Sequence, residues 1–493
     1  MITARGVRLL SEADVVVYDT AVEAVLRWAR PDAERIAAGA PAERETAQDA
    51  ISMLLAEKAR DGHTVARLKW GDPFVFDSGA KEALFLYDQG VSFEVVPGVP
   101  AAIGATAYAG IPVSYPGSGD AIVFLRGQED EAAGLPDVDW DALARVDGTL
   151  VCVAGGRLVP GVLQSLLDHG ASAETPAALI FRGTTPGQRT LTGTLKTLCD
   201  AITQDPVAET ALLVVGEVTS LRNHLRWFDA RPLFGRRVVV TRSHEQALEL
   251  VDALEDLGAQ AIEAPTFRLQ PADDPEAVDR AAAHVDEYHW VIFESANAVT
   301  RFLGALRRGP RDLRALGNVQ ICAIGPSTAE RLEASGIRAE IVSAELGTES
   351  VADAMVARSG SVSGRRVLIV RPDHVRDIVG EDLSRRGAEV VDLVPYRTVS
   401  ATPDSPAAQA LYRMLLEGQI DAVTFSSPSS VSRFASLIGE EQAVDLLNTT
   451  VVVAIGPVTA AAATELGIRN VIVAVEFTVP GLVRALVAKL GRV

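Results

Sequence analysis

The sequence has few cysteines, only three in 493 residues, and no two of them stand close together. This scarcity argues against a disulfide framework and against a zinc site built from paired cysteines. The seven histidines are scattered and show no metal-binding spacing either. We therefore predict no metal site.

Positive charge and long apolar runs are scarce as well. Lysine and arginine number 46 against 65 aspartates and glutamates, a net charge of −19, whereas nucleic-acid binding needs a positive surface. No apolar run reaches the roughly 18 residues of a membrane span, and the start lacks the basic and apolar segments of a signal peptide. We expect a cytoplasmic protein with no nucleic-acid and no membrane partner.

The composition itself is that of a globular protein, with 48% hydrophobic and 23% charged residues. A chain of 493 residues is long enough for three or four domains. Disordered and low-complexity classes are excluded by the same composition.

The second half of the chain contains an internal duplication. Short β-branched runs alternate in each copy with stretches rich in Ala, Leu and Glu, which is typical of parallel α/β units. Two such lobes predict a ligand cleft between them. The matching segments are GRRVVVTR at 235–242 with GRRVLIVR at 364–371, FESANAV at 293–299 with FSSPSSV at 425–431, and AIGPSTA at 323–329 with AIGPVTA at 454–460.

Small polar residues and glycines follow several of these strand-like runs. In parallel sheets the carboxyl ends of the strands form the ligand-binding edge, and the N–H groups of helices that begin there attract carboxylates or phosphates. The alternative is that these side chains only cap their own helices. Because the pattern repeats in both lobes, we favour an anion site, with Ser295, Asn297, Gly325, Thr328, Ser426, Ser427, Ser430, Gly456 and Thr459 as candidates.

The first half also alternates strand-like runs with helical stretches. Glycines near the ends of these runs allow a ligand to approach the backbone closely. The runs lie at 15–17, 64–68, 93–96, 149–153 and 212–215.

Taken together, these segments resemble two known families. The second half, about 235–493, resembles uroporphyrinogen-III synthase through its residues at 241–242, 246–247, 295–297, 324–329, 395–396, 424–427 and 455–460. The first half, about 1–230, resembles the uroporphyrinogen-III C-methyltransferases of the tetrapyrrole methylase family. That resemblance rests on DVVVYD at 14–19, RLKWGDPFVF at 67–76, VVPGV at 95–99, YAGIP at 108–112 and GTTPGQR at 183–189.

The resemblance implies an α/β fold throughout. A tetrapyrrole-methylase-like domain would have two subdomains, about 1–115 and 119–230. Two flavodoxin-like lobes with a cleft between them would follow, one from 235–268 with 402–493 and the other from 270–398. Residues 265–271 and 395–399 would form a two-stranded connector, and we expect the first half to form a homodimer.

The implied substrate of the second half is hydroxymethylbilane, a linear tetrapyrrole with eight carboxylates. It would lose its hydroxyl group, invert its last pyrrole ring and close to uroporphyrinogen III without a cofactor. Tyr396 is the candidate proton donor to the departing hydroxyl, or alternatively a packed hinge residue. Arg242 and Arg371 occupy matching positions in the two copies, where they would bind carboxylates or be ordinary surface arginines.

The first half departs from the methylase pattern at several functional positions. The family's opening strand and glycine-rich loop, which hold S-adenosylmethionine, would lie just upstream of Met1. The departures are Ala40 for Lys, Trp70 for Gly, Asp77-Ser78 for Gly-Arg, Pro100-Ala101 for Thr-Ser or Thr-Ala, Tyr115-Pro116 for His-Arg and Ala154 for Met. We expect this half to have kept the fold and lost methyl transfer. If it is active, S-adenosylmethionine would be its cofactor, bound by Asp19, Gly71, Asp72, Val75, Ala101 and Gly183.

Three hypotheses therefore remain. The chain is a uroporphyrinogen-III synthase with an inactive methylase-like domain, a bifunctional enzyme that also methylates uroporphyrinogen III, or a two-lobed tetrapyrrole sensor without activity. The replaced residues of the first half favour the first over the second. The retained Thr328, Tyr396, Ser427 and Thr459 argue against the third.

Overall fold

The structure is a computed structural model that describes residues 1–493 except 31, 39–43, 128–133, 242–243, 265–266, 273, 344–347, 374–377, 401 and 492–493. The chain divides into two compact units. One comprises residues 1–238, 252–261 and 486–493, and the other comprises 239–251 and 262–485. The domain bounds given above remain predictions.

The N-terminal region begins with a three-stranded sheet of order β2-β1-β3, in which both neighbours run parallel to β1. Its strands are β1 (Val15–Tyr18), β2 (Glu34–Ala37) and β3 (Val65–Leu68), and its helices are α1 (Ala4–Glu12), α2 (Arg44–Arg60), α3 (Gly79–Asp88) and α4 (Ala101–Tyr108). The three valines of β1 are buried, as expected of β-branched residues in a central strand. A 3-10 helix, Thr20–Trp28, follows β1.

The expected strand at 93–96 is absent, and this prediction was wrong. These residues and β3 line the same cavity, while β3 is hydrogen-bonded only to β1. Within the described part of the chain, residues 92–96 hold no backbone hydrogen bond, so the run is apolar but has no partner to complete a ladder.

A second sheet of five strands follows, with the order β4-β5-β8-β6-β7. β4 and β5 are parallel, whereas the remaining pairs are antiparallel. Its core contains buried apolar residues of the central strands, among them Cys152, Leu179 and Leu213. The elements are β4 (Ala121–Arg126), α5 (Trp140–Ala144), β5 (Gly148–Ala154), α6 (Val159–Asp168), β6 (Pro176–Phe181), β7 (Arg189–Thr194), α7 (Leu195–Gln204), β8 (Ala211–Val215) and α8 (Arg222–Leu225).

The C-terminal region contains two parallel five-stranded sheets. The elements of the first lobe are β9 (Arg237–Val240), α9 (His244–Asp256), β10 (Gln260–Glu263), α15 (Pro406–Leu416), β18 (Ala422–Phe425), α16 (Pro428–Ile438), α17 (Glu440–Asn448), β19 (Val451–Ala454), α18 (Pro457–Glu465), β20 (Val471–Val473) and α19 (Val479–Leu490). The elements of the second lobe are α10 (Pro275–Ala283), β12 (Trp290–Phe293), α11 (Ala296–Arg308), β13 (Gln320–Ile324), α12 (Pro326–Glu333), β14 (Ile341–Ser343), α13 (Thr348–Ser359), β15 (Arg366–Val370), α14 (Ile378–Arg385) and β16 (Glu389–Leu393).

The two lobes have the same strand order, which confirms the internal duplication. The first sheet, taken from its far edge, reads β20-β19-β18-β9-β10, and the second reads β14-β13-β12-β15-β16. β18 therefore corresponds to β12 and β9 to β15, as the repeated segments indicate. In the first lobe, β9 and β10 precede the second lobe in the chain, whereas β18, β19 and β20 follow it. The second lobe is therefore inserted within the first.

The connector between the lobes is a two-stranded antiparallel ribbon, as expected. β11 (Phe267–Pro271) pairs with β17 (Tyr396–Ser400), and the register places Pro271 opposite Tyr396. Both segments are bounded by proline in the sequence, which favours extended backbone.

None of the described helices is long and apolar enough to cross a membrane.

Candidate functional site

Four strand ends of the two lobes lead directly into helices. β12 leads through Ser295 into α11, and β18 leads through Ser427 into α16. β13 leads through Gly325 into α12, and β19 leads through Gly456 into α18. The equivalent ends of the two lobes thus carry the same type of N-cap residue.

The serine-started helices are capped by their own side chains. The Oγ of Ser295 accepts a hydrogen bond from the backbone N of Ala298 at 3.1 Å. In α16, the Oγ of Ser427 accepts from the backbone N of Ser430 at 3.2 Å, while the Oγ of Ser430 donates to the carbonyl oxygen of Ser427 at 2.7 Å. The capping interpretation therefore describes these serines, whose hydroxyls are already engaged.

The glycine-started helices differ in this respect. Neither α12 nor α18 has a side-chain cap, since the N-cap residues Gly325 and Gly456 offer none. Thr328 and Thr459, in the first turns, are only 1% and 3% exposed. Their hydroxyls take part in no hydrogen bond with any described residue, whereas a polar group on a buried side chain usually has a partner. Each lobe therefore presents one uncapped helix start next to a threonine hydroxyl that is available to a ligand.

The hydroxyl of Tyr396 lies against the second lobe. It is 2.9 Å from the Oγ of Ser295, and the tyrosine is only 3% exposed. Tyr396 also belongs to the apolar core of that lobe, together with Phe293 and Phe302. Its hydroxyl thus has a structural partner, and the same contact places it at the strand end that carries Ser295.

Of the two candidate carboxylate-binding arginines, the structure describes one, Arg371. Arg371 holds Asp392 in a bidentate ion pair, with 2.8 Å from Nε to Oδ1 and 2.5 Å from Nη2 to Oδ2. Much of its hydrogen-bonding capacity is therefore directed at its own lobe. Arg242 lies outside the described residues. Asn297 and Ser426 are half-buried at the strand ends, and their side chains hold no hydrogen bond with a described residue.

A cavity of about 1140 Å³ lies in the N-terminal region. Of the six residues expected to bind S-adenosylmethionine, Gly71, Ala101 and Gly183 line it. Asp19, Asp72 and Val75 do not belong to its lining. Trp70, which we expected to crowd a cofactor, lines the cavity as well and is 42% exposed.

The two aspartates among the expected S-adenosylmethionine-binding residues accept hydrogen bonds from the protein's own backbone and side chains. Asp19 is fully buried and accepts from Nη2 of Arg67 at 2.7 Å and from the backbone N of Trp70 at 3.2 Å. Asp72 accepts from the backbone N of Phe74 and of Gly98, both at 2.9 Å. These contacts fix the turn on which Gly71 stands.

A buried ionic cluster beside the cavity was not predicted. Nζ of Lys69 lies 3.1 Å from Asp77 and 3.0 Å from Glu82, and it donates to Ser78 at 2.9 Å. Arg67 approaches Glu82 at 3.4 Å. Asp77 and Ser78, which replace the family's Gly-Arg pair, are thus both bound to Lys69. Only the fold reveals this, because the partners are eight to thirteen positions apart along a loop and a helix start.

The electrostatics of Glu82 follow from this cluster. Burial raises the pKa of its carboxyl group, but the positive charges of Arg67 and Lys69 outweigh that effect, helped by a hydrogen bond from Gln48. The net result is a pKa below the ordinary value of 4.5, so Glu82 is held ionised.

Comparisons with known proteins match the two halves of the chain to two different families. The family of tetrapyrrole (corrin/porphyrin) methylases matches residues 1–199, and the family of uroporphyrinogen-III synthase HemD matches residues 249–484. A porphyrin biosynthesis protein HemD of Ruminiclostridium josui is 31% identical over 475 residues, which cover 96% of this chain and 92% of that protein. The chain belongs to this family of fused tetrapyrrole methylase and uroporphyrinogen-III synthase proteins.

Other relatives match a smaller share of the chain. A uroporphyrinogen-III C-methyltransferase of Bacillus subtilis is 34% identical over 338 residues, covering 68% of this chain and 69% of that protein. A siroheme synthase of Methylococcus capsulatus is 43% identical over 233 residues, covering 47% of this chain and 49% of that protein.

Among solved structures, the uroporphyrin-III C-methyltransferase of Thermus thermophilus complexed with S-adenosylhomocysteine is 34% identical. The match covers 44% of this chain and 92% of the methyltransferase chain, with a TM-score of 0.38. A uroporphyrinogen-III synthase of the same organism is 21% identical, covering 52% of this chain and 100% of that one, with a TM-score of 0.37. None of these comparisons supports the expected degeneracy of the methylase domain.

Proposed function

We propose that the C-terminal domain is a uroporphyrinogen-III synthase that closes hydroxymethylbilane with inversion of its last pyrrole ring. The observation that supports this most is the repeated pair of uncapped helix starts, α12 and α18, each with a buried threonine whose hydroxyl has no partner among the described residues. Two equivalent anion-binding positions suit a substrate with carboxylates along its whole length.

Helix starts are well suited to this substrate because the protein as a whole is acidic. At a net charge of −19, attraction of a molecule with eight carboxylates has to come from local positive potential. The first-turn N–H groups of α12 and α18 and the positive ends of their dipoles supply such potential without a side-chain cation. This matters because Arg371 is already paired with Asp392.

The reaction depends mainly on how the protein positions the substrate. Once the hydroxyl has left, the bilane is a reactive electrophile, and the protein has to fold the chain so that closure occurs at the substituted carbon of the last ring. Holding carboxylates at two fixed points restricts the substrate to such a geometry, and orientation effects of this kind lower barriers by several kcal/mol or more. No cofactor enters this proposal.

Tyr396 is the proposed proton donor to the departing hydroxyl. Its hydroxyl is held at 2.9 Å from Ser295, which fixes the position of the phenol at the strand end. The phenol would donate its proton to the departing hydroxyl, which leaves as water, and the phenolate would then recover a proton that the substrate releases on ring closure.

The decisive experiment is turnover of hydroxymethylbilane by the purified full-length chain without added cofactor. The proposal expects the type III isomer. Formation of only the type I isomer, which closes without inversion, would support the non-catalytic sensor instead.

For the N-terminal domain we propose S-adenosylmethionine-dependent C-methylation as a second activity, in place of the expected loss of methyl transfer. The cavity of about 1140 Å³ supports it, as does the matched uroporphyrinogen-III C-methyltransferase. S-adenosylmethionine would supply the methyl group, and Gly71, Ala101 and Gly183 are the small residues that would lie against it. They fit such a group because Gly71 has a φ of +74°, a conformation that side chains rarely adopt, so that no side chain covers the backbone at this point.

The replaced residues remain the argument for the opposite hypothesis, in which this domain is inactive. Trp70 lines the cavity, and Ala40, which replaces the family's lysine, lies outside the described residues. Titration of the full chain with S-adenosylhomocysteine separates the two hypotheses.

A further inference from the structure

An exposed apolar surface lies at the end of β20 in the first lobe. Val475 and Phe477 follow this strand and are 96% and 63% exposed, and Val458, in the first turn of α18, is 71% exposed. Isolated exposed apolar residues are common, but a valine and a phenylalanine exposed together directly after one strand point to an interaction site.

The turn that carries Phe477 is held in place on both sides. The backbone N of Ala474 donates to the carbonyl oxygen of Ala454 at 3.0 Å, and that of Thr478 donates to Glu476 at 2.8 Å. Glu476 is also paired with Arg484 of α19 at 2.5 Å. An exposed aromatic side chain on a fixed backbone loses little conformational entropy when it binds a ligand.

The start of α19 packs tightly against the same turn. The backbone N of Gly481 donates to the Oγ of Thr478 at 3.2 Å. A Cβ added at Gly481 would lie 1.9 Å from the carbonyl oxygen of Glu476, so no other residue fits without displacing the turn. The position of Phe477 is therefore determined by the fold.

The ring of Phe477 lies over the start of α18. A Cβ added at Gly456 would be 3.4 Å from the ring, which is van der Waals contact. The aromatic ring thus borders the helix start that has no side-chain cap and that contains the buried Thr459. No ring lies within 4 Å of the corresponding position over Gly325 among the described residues.

We propose that Phe477 and the start of α18 form a subsite for one pyrrole ring of the substrate, with the ring face against Phe477 and its carboxylate side chain at the N–H groups of α18. This inference rests on the proposed synthase function and goes beyond it, since it assigns one ring to one lobe. The carboxylate of Glu476 does not oppose it, because its charge is balanced by Arg484. Thr459, whose hydroxyl has no partner among the described residues, donates to the same carboxylate.

An aromatic ring suits a pyrrole better than aliphatic residues do. Stacked or edge-on aromatic pairs contribute about 0.5–1.5 kcal/mol beyond their buried area. Loss of the Phe477 ring should therefore weaken substrate binding by roughly 2- to 10-fold.

The test compares Phe477→Ala, Phe477→Trp and the control Leu416→Ala. Leu416 is also 63% exposed and ends α15, away from the four strand ends. KM and kcat for hydroxymethylbilane are measured, and binding of uroporphyrinogen III is measured by anaerobic calorimetric titration. We expect Phe477→Ala to raise KM and the Kd of the product by roughly 2- to 10-fold, with Phe477→Trp and Leu416→Ala close to the unsubstituted chain.

If Phe477→Ala and Leu416→Ala have the same KM for hydroxymethylbilane and the same Kd for uroporphyrinogen III, the proposed subsite is wrong. The thermal midpoint of each variant checks folding, which an exposed side chain should not affect. The calorimetric measurement is independent of turnover. A chain that yields only type I product contradicts the proposed synthase function, whereas a chain that makes type III but binds product unchanged in Phe477→Ala contradicts the subsite alone.

Discussion

The hydroxyl of Tyr396 lies 2.9 Å from the hydroxyl of Ser295, which in turn accepts a hydrogen bond from the backbone N of Ala298. One tyrosine of the connector is thus tied to the cap of helix α11. The contact serves the packing of the second lobe and also fixes a phenol at a strand end of the proposed site.

Substitution of Tyr396 separates these two roles. Tyr396→Phe keeps the packing of the ring and removes only the hydroxyl, so a proton donor predicts a kcat lower by roughly 10- to 1000-fold with a similar KM. Tyr412→Phe, in α15 of the first lobe, is the matched control. A reduced thermal midpoint with unchanged kcat would assign the Tyr396 hydroxyl to packing.

The threonines of the uncapped helix starts provide a second test. Thr328→Val and Thr459→Val preserve shape and remove a hydroxyl that has no partner among the described residues, so the thermal midpoint should change little. KM for hydroxymethylbilane should rise by roughly 10- to 100-fold, because a hydrogen bond to a charged group contributes about 1.5–3 kcal/mol.

Ser405→Ala is the control for this pair. Ser405 caps α15 through the backbone N of Ala408 at 3.3 Å, so its loss should cost about 1 kcal/mol of stability and leave KM unchanged. If the threonine variants behave like Ser405→Ala, the threonines are structural and the anion site is placed elsewhere.

The ionic cluster of the N-terminal domain predicts a pH effect. The pKa of Glu82 in the folded protein is below its ordinary value of 4.5, so ionised Glu82 favours the folded state. This contribution is complete above pH 4.5 and is lost as the pH falls through the lower, folded pKa. The thermal midpoint of this domain should therefore drop on acidification, and less steeply in Glu82→Gln.

Lys69→Met probes the same cluster at neutral pH. It removes the cation from between Asp77 and Glu82, whose side chains are only 8% and 5% exposed, and should lower the stability by about 3 kcal/mol. Scanning calorimetry at pH 7 measures this. A change below about 0.5 kcal/mol, as for exposed ion pairs, would show that water screens the cluster.

Binding of S-adenosylhomocysteine tests the second proposed activity. Calorimetric titration of the full chain should give a saturable heat, and Trp70→Gly should bind more tightly because the indole lines the same cavity as Gly71 and Ala101 and its removal enlarges the space for the ligand. Absence of heat in both proteins at millimolar ligand would restore the hypothesis of an inactive methylase domain.

The sequence predicts much of the fold because the information is local or repeated. The duplicated segments at 235–242 and 364–371 place β9 and β15 at equivalent positions, and the sheets confirm this. The run at 93–96 is apolar enough for a strand, but a strand also needs a neighbour, and that depends on tertiary structure. The same holds for the contacts between Lys69 and Asp77.

The candidate site is predicted less completely. All four strand ends carry small polar residues or glycine, and the sequence does not distinguish Ser295 and Ser427, which cap their helices, from Thr328 and Thr459, which do not. That distinction depends on side-chain geometry. Phe477 was missed because the sequence does not show whether an aromatic residue after a strand is buried or exposed, and only the structure shows its exposure.

The most direct test of the account is the isomer ratio formed from hydroxymethylbilane by the full chain and by the Thr328→Val/Thr459→Val double variant, with Ser405→Ala as control. We predict mainly type III product for the unsubstituted chain and for Ser405→Ala, and a shift toward type I in the double variant, because its substrate is held less firmly for inversion. Type I as the sole product of the unsubstituted chain, as in buffer alone, would contradict the account.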